Sequence, residues 1–170
     1  MNALQKSFLD TIAPLAQAAQ MKWGPPASVQ MAQAIIESAN AQGWGQSQLT
    51  REANNPFGIK AAHCANPDSY IKLPTHEYVN GECVTVEAEF ARYDSLADSF
   101  DAHARLLATA PRYAHAMAVR RDPTAFCTQL QHAGYSTSPT YASSLWKLIQ
   151  LYDLTQYDVL PDGPAREVAA

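Results

Sequence analysis

The segment Ser28-Val29-Gln30-Met31-Ala32-Gln33-Ala34-Ile35-Ile36-Glu37-Ser38 decides how the rest of the chain is read. Val29, Ala32, Ile35 and Ile36 recur at three- and four-residue steps, which puts them on one side of a helix. Gly24-Pro25-Pro26 is a stop before it, and either those prolines or Ser28 opens it. Gly43-Trp44-Gly45 breaks the pattern, so the helix is expected to end near Asn40. Between Ser28 and Gln42 the only acid is Glu37, beside two isoleucines at the helix's C-terminal end. The helix dipole disfavours a negative charge there, and so do apolar neighbours. Both effects push the carboxyl toward a neutral, proton-donating form, which general-acid catalysis requires. On helix pattern alone, a partly exposed helix-end glutamate with no chemical task is the favoured reading.

Working outward, Leu4, Phe8, Ile12, Leu15 and Ala19 mark an earlier helix over residues 4–23, which Pro14 is expected to kink or divide. A short helical turn over 46–52 and a loop at Asn54-Asn55-Pro56-Phe57-Gly58 follow the central helix. The period then changes to two. Residues 71–79 and 82–90 flank Asn80-Gly81, a strong signal for a two-residue hairpin turn. Val84, Val86, Ala88 and Phe90 alternate with Thr85, Glu87 and Glu89, as in a strand with one face in water. Ser95 with Asp98 three residues on begins another helix, whose inner face carries Phe100, Ala104 and Leu107. Helices over 113–120 and 123–133 come next, the second closed by Gly134, and Pro139 is expected to start a last one reaching about Tyr152. Helices on either side of one small hairpin make the class α+β, mostly α. Residues 1–157 read as one domain and 158–170 as a Pro/Gly-containing tail.

The chain has 170 residues, 12 Lys+Arg against 16 Asp+Glu and a net charge of −4, without the basic stripe of a nucleic-acid binder. Arg120–Arg121 is the one basic doublet, and Asp122 follows it directly. No run approaches the ~18–20 apolar residues of a membrane span. Residues 1–20 lack the basic start and continuous apolar stretch of a secretory signal. Three cysteines leave two arrangements open: a Cys64–Cys83 pair with Cys127 as a buried thiol, or three reduced thiols. The five histidines His63, His76, His103, His115 and His132 show no metal-binding spacing, so neither metal nor cofactor is expected. Gly45-Gln46-Ser47-Gln48-Leu49 lacks the second glycine of a nucleophile elbow.

Five short motifs stand in order along the chain. They are Ala32-Gln33-Ala34-Ile35-Ile36-Glu37-Ser38 with Gly43-Trp44-Gly45; Asn54-Asn55-Pro56-Phe57-Gly58-Ile59-Lys60; Thr75-His76-Glu77-Tyr78; Pro111-Arg112-Tyr113-Ala114; and Gly134-Tyr135-Ser136-Thr137-Ser138-Pro139-Thr140-Tyr141. Together they resemble glycoside hydrolase family 73, the lysozyme-like peptidoglycan N-acetylglucosaminidases. The resemblance implies a lysozyme-like fold, with a helical lobe and a small β-hairpin lobe flanking a substrate groove. It implies that Glu37 is the catalytic acid, Glu77 a second glutamate across the cleft and Tyr135 a tyrosine near the reacting sugar. It also implies that Trp44, Asn55, Phe57, Gly58 and Tyr141 bind substrate. One departure is visible: Ser38-Ala39-Asn40-Ala41-Gln42 stands where family members usually have a single serine, about one extra helical turn. Either the helix lengthens or the loop bulges into the groove.

The implied function is endo-β-N-acetylglucosaminidase cleavage of the β-1,4 bond between N-acetylglucosamine and N-acetylmuramic acid. A lysozyme-like muramidase or lytic transglycosylase is the nearest alternative, and a non-catalytic wall-binding or assembly module the next. The expected partner is the peptidoglycan glycan strand, met as a monomer in the periplasm or wall. Phage lysis, a secretion system or a chain trimmed of its signal would each deliver it there.

Overall fold

Helix α1 (Ala3–Trp23) opens on a capping box. Asn2 accepts from the Gln5 backbone N–H at 2.8 Å, and the Gln5 side chain accepts from the Asn2 N–H at 2.9 Å. The helix ends at Gly24, whose φ of 100° is left-handed. Contrary to expectation, Pro14 neither divides nor stops α1. Pro14 itself is exposed, while Leu9, Ile12, Ala13, Ala16 and Ala19 are buried on the opposite face. That packing outweighs the one backbone bond a proline removes. The computed structural model describes residues 1–61, 70–79 and 82–159, with backbone alone at 76–79 and 82–84.

Helix α2 (Ala27–Ser38) is the centre of the molecule, and every residue from Ala27 to Ile35 is buried. It packs against α1 and, further along the chain, against α6 (Pro123–His132), α7 (Tyr141–Leu151) and the 3-10 turn Leu154–Tyr157. Alanines and serines on its surface let these neighbours approach. Val29, Met31 and Ile35 each stabilise the fold by about 1.5–3 kcal/mol through burial. No local side chain caps α2. Instead Asp158, 130 residues away, accepts from the Ser28 N–H and the Ser28 hydroxyl, both at 2.8 Å. A carboxylate at a helix N-terminus also complements the dipole. Val159 donates its N–H to the Gln20 side chain at 2.9 Å, so the packed chain runs two residues past Tyr157.

Helix α3 (Gln48–Ala53), capped by Ser47, leads into strands β1 (Tyr70–Val79) and β2 (Glu82–Ala91). These pair antiparallel from Tyr70↔Ala91 to Val79↔Glu82, the register an Asn80-Gly81 turn demands, although the turn itself lies outside the described residues. Ile71, Leu73, Val86, Ala88 and Phe90 are half-buried and their alternating neighbours exposed. Ser95 caps α4 (Leu96–Thr109) by accepting from the Asp98 N–H. The expected helix over 113–120 is a 3-10 turn, Pro111–Tyr113, followed by α5 (Ala114–Ala118). Helix α7 begins at Tyr141, not Pro139, because Pro139 sits inside a turn that the Ser138 carbonyl closes by accepting from the Tyr141 N–H. Cys127 is buried, and burial pushes its thiol up to about 12. The proposed Cys64–Cys83 pair falls outside the described residues. Among the described residues no helix is long and apolar enough to cross a membrane.

Candidate active site

Glu37 occupies the last turn of α2, one residue before Ser38 turns the chain. The Ser38 hydroxyl donates to the Ala34 carbonyl and accepts from the Gly45 N–H at 2.9 Å, which ties the helix end to the Gly-Trp-Gly segment. The additional residues take neither of the two expected courses. Asn40 and Gly43 exchange backbone hydrogen bonds at 3.0 and 3.1 Å, and the Asn40 side chain accepts from Gln42 and donates to the Gln46 carbonyl. The insertion is therefore a small closed turn, and residues 39–42 do not line the cavity beside Glu37. Gly45 has a φ of 68° and lies against the Phe8 ring, where a Cβ would collide.

That cavity, of about 400 Å³, is lined by Glu37 together with residues of the Phe57–Lys60 loop, Phe90, Leu106 and residues 112–113 and 135–136. Glu37 is exposed toward it. Protein nevertheless surrounds the carboxyl closely enough that lost hydration raises its pKa above the ordinary glutamate value. The Tyr141 hydroxyl, donating to Oε1 at 3.2 Å, opposes this more weakly. The direction is that expected from the helix end and its isoleucines.

Behind Glu37 stands an aromatic wall. Tyr135 and Tyr141 stack at 5.5 Å with ring planes 16° apart, and Tyr113 lies 6.0 Å beyond Tyr135. Tyr141 is itself held by Gln33, whose amide donates to its hydroxyl at 3.1 Å. Tyr135 bonds His103 of α4 at 3.1 Å. His103 is fully buried, and burial holds its pKa down to about 3, so the imidazole is neutral. Arg112 lies over the Tyr113 ring and donates to its hydroxyl.

Phe57 is 4% exposed and lines the cavity, stacked flat on His103 at 3.9 Å. Gly58 lines it too, at a φ of 65°. Asn55 is placed differently from its expected contact with substrate. It is 1% exposed, donates to the Ile59 and Ala91 carbonyls at 2.9 Å and accepts from the Ile59 N–H at 3.1 Å. Its side chain is thereby spent on holding the Phe57–Lys60 loop to β2. Trp44 does not line the cavity either; its ring meets Tyr152 edge-on at 4.8 Å. Glu77 is on β1 opposite Val84, and its side chain lies outside the described residues.

His103, Gln33 and Arg112 were not singled out as site residues by their sequence context. The signal for His103 was present, however: it fills the fourth place of the stripe Phe100, Ala104, Leu107 at helical spacing, where an apolar residue would be the default.

The chain matches, over residues 13–154, the model of the Glucosaminidase family, described as mannosyl-glycoprotein endo-beta-N-acetylglucosaminidase. It belongs to this family of glycoside hydrolases. It is 32% identical over 159 residues to the exo-glucosaminidase LytG of Bacillus subtilis, covering 91% of this chain and 54% of LytG. It is 37% identical over 150 residues to the peptidoglycan hydrolase FlgJ of Salmonella typhimurium, covering 85% of this chain and 45% of FlgJ. The chain thus spans about half the length of these relatives. The catalytic domain of the autolysin Auto from Listeria monocytogenes superposes with a TM-score of 0.80 at 31% identity, covering 93% of this chain and 89% of that domain. The fold is lysozyme-like, as the motif order implied.

Proposed function

We propose that the chain is an endo-β-N-acetylglucosaminidase, hydrolysing the bond between N-acetylglucosamine and N-acetylmuramic acid in the peptidoglycan glycan strand. One observation carries the reading: a glutamate with a raised pKa faces a cavity walled by tyrosines and Phe57. A carboxyl whose pKa is raised at the edge of such a cavity holds a proton more readily and can donate it to the glycosidic oxygen as the bond breaks. Aromatic faces suit the apolar side of a pyranose ring. Phe57 and Tyr135 line the cavity and supply such faces. FlgJ is called a peptidoglycan hydrolase and Auto an autolysin, which supports a wall glycan over a glycoprotein glycan. The site of action is then the periplasm or wall, and a monomer is sufficient, since this one chain supplies both acid and wall.

Glu77 is the proposed second carboxyl. In an inverting enzyme it would stand about 6.5–9.5 Å from the acid and activate a water; in a retaining one it would be a nucleophile at about 5–5.5 Å. At a wider gap the substrate's own 2-acetamido oxygen attacks, and Glu77 supports it. The anomeric form of the first product distinguishes inversion from the other two.

Mass spectrometry of borohydride-reduced digests of peptidoglycan tests the bond assignment. Reduced N-acetylglucosamine at new chain ends is the expected product. N-acetylmuramic or anhydro-N-acetylmuramic ends would replace the reading with a muramidase or lytic transglycosylase. LytG is named an exo-enzyme, so product length from long strands is measured alongside: mid-length fragments support endo cleavage, and terminal units alone contradict it.

A further inference from the structure

His103 is a fully buried polar group in the middle of an apolar helix face. Phe57 covers its ring within 3° of parallel, and Tyr135 meets it edge-on at 6.0 Å. Its Nε2 lies 3.1 Å from the Tyr135 hydroxyl. Its Nδ1 is buried and has no partner among the described residues. A neutral imidazole carries one N–H and one bare nitrogen. A proton on Nδ1 would strand a buried donor, which folded proteins almost never keep. On Nε2 the same proton has Tyr135 to bond, and only a lone pair is left bare.

We propose that His103 is a positioning residue whose Nε2–H donates to the Tyr135 hydroxyl oxygen, turning the Tyr135 O–H toward the cavity, where it donates to an acceptor oxygen of the bound sugar. The neighbouring tyrosine is built on the same plan. Gln33 donates from behind to Tyr141 at 3.1 Å, and Tyr141 donates forward to Glu37 at 3.2 Å. Gln33 Oε1 is buried and, like His103 Nδ1, has no partner among the described residues. Two stacked phenols each have a buried N–H behind them. Tyr141 aims its proton at the acid, whereas Tyr135 lines the cavity and aims its proton at substrate. Accepting from His103 also makes the Tyr135 hydroxyl a stronger donor, because hydrogen bonds in a chain polarise one another. His103 thus acts through Tyr135 and touches no substrate itself.

The role in catalysis rests on the glycosidase reading above; the tautomer does not. Nitrogen-15 NMR of the unaltered protein should show a pyrrole-type Nε2 and a pyridine-type Nδ1 for His103, and the reverse assignment overturns the proposal. Kinetics on soluble glycan strands test the consequence. His103→Phe keeps the ring stack and is expected to lower kcat about tenfold with KM within about twofold, while His103→Gln, whose amide N–H reaches the same place, restores most of the loss. In a Tyr135→Phe background, His103→Phe should lower kcat less than about twofold further. An equal tenfold loss in both backgrounds would show that His103 does not act through Tyr135. If His103→Phe fails to fold, His103→Gln and the NMR assignment decide. Full activity in Glu37→Gln would overturn the underlying reading. Inactive Glu37→Gln beside a fully active His103→Phe would overturn this inference alone.

Discussion

Behind Glu37 each aromatic ring packs on the next, from Phe57 through His103, Tyr135 and Tyr141, at centroid distances of 3.9 to 6.0 Å. In the hairpin, by contrast, no side chain of residues 70–75 or 85–90 is fully buried. A two-stranded ribbon is marginally stable by itself. This one is held at its base, where the Ala91 N–H donates to the Ile59 carbonyl at 2.9 Å, Lys60 bridges to Phe90, and Asn55 bonds both sides. The wall supplies the Tyr141 hydroxyl that bonds Glu37 and holds the orientation of its neighbours. The hairpin base fixes where the second arm of the cleft begins. Catalytic chemistry should therefore respond to changes in the wall and at Glu77, and stability to the base clamp, while the other outer hairpin positions should tolerate substitution.

The largest effect is expected at the wall's acid. Glu37→Gln should lower kcat about a thousandfold, within the range of general-acid catalysis. Its stability carries a sign. Because the folded pKa is raised, the fold is favoured while Glu37 is protonated and loses that contribution as pH rises through the folded pKa. The glutamine variant should thus melt no lower than the parent at neutral pH, with the difference shrinking below the ordinary glutamate range. A variant that loses activity only because it unfolds would erase the distinction between wall and base.

Asn55→Ala comes next. It removes three hydrogen bonds to backbone groups, of which the Ile59 carbonyl keeps the Ala91 N–H as a partner, and should cost about 2–3 kcal/mol, read as a fall in Tm of roughly 5–10 °C by calorimetry. Tyr141→Phe is smaller, about 1 kcal/mol of transition-state stabilisation or roughly fivefold in rate. It should also move the basic limb of the pH–rate profile upward, because the lost bond had favoured the carboxylate. Smallest is Lys72→Met on the hairpin. Its pair with Glu89 is 3.5 Å long and half exposed, so stability should change by less than about 0.5 kcal/mol.

The hairpin and the helices were legible because periodicity and turn chemistry are local: Asn80-Gly81 fixes a register, and Phe100, Ala104 and Leu107 fix a face. Glu37's raised pKa was legible for the same reason, since its isoleucine neighbours and helix end are adjacent in sequence. Long-range bonds were not. Asp158 capping Ser28 joins residues 130 apart, and nothing local marks a tail residue as a helix cap. Asn55 sits in a loop motif next to cavity residues, yet its amide geometry fits the backbone of Ile59 and Ala91 better than open solvent. Pro14 misled because its local cost was visible while the burial of the opposite face was not.

Burial beside the cavity raises the Glu37 pKa against the opposing Tyr141 bond, and carbon-13 NMR titration of the Glu37 carboxyl reads that balance directly. The midpoint should lie above that of an ordinary glutamate and rise further in Tyr141→Phe. A midpoint at or below the ordinary value, unmoved by Tyr141→Phe, would contradict it.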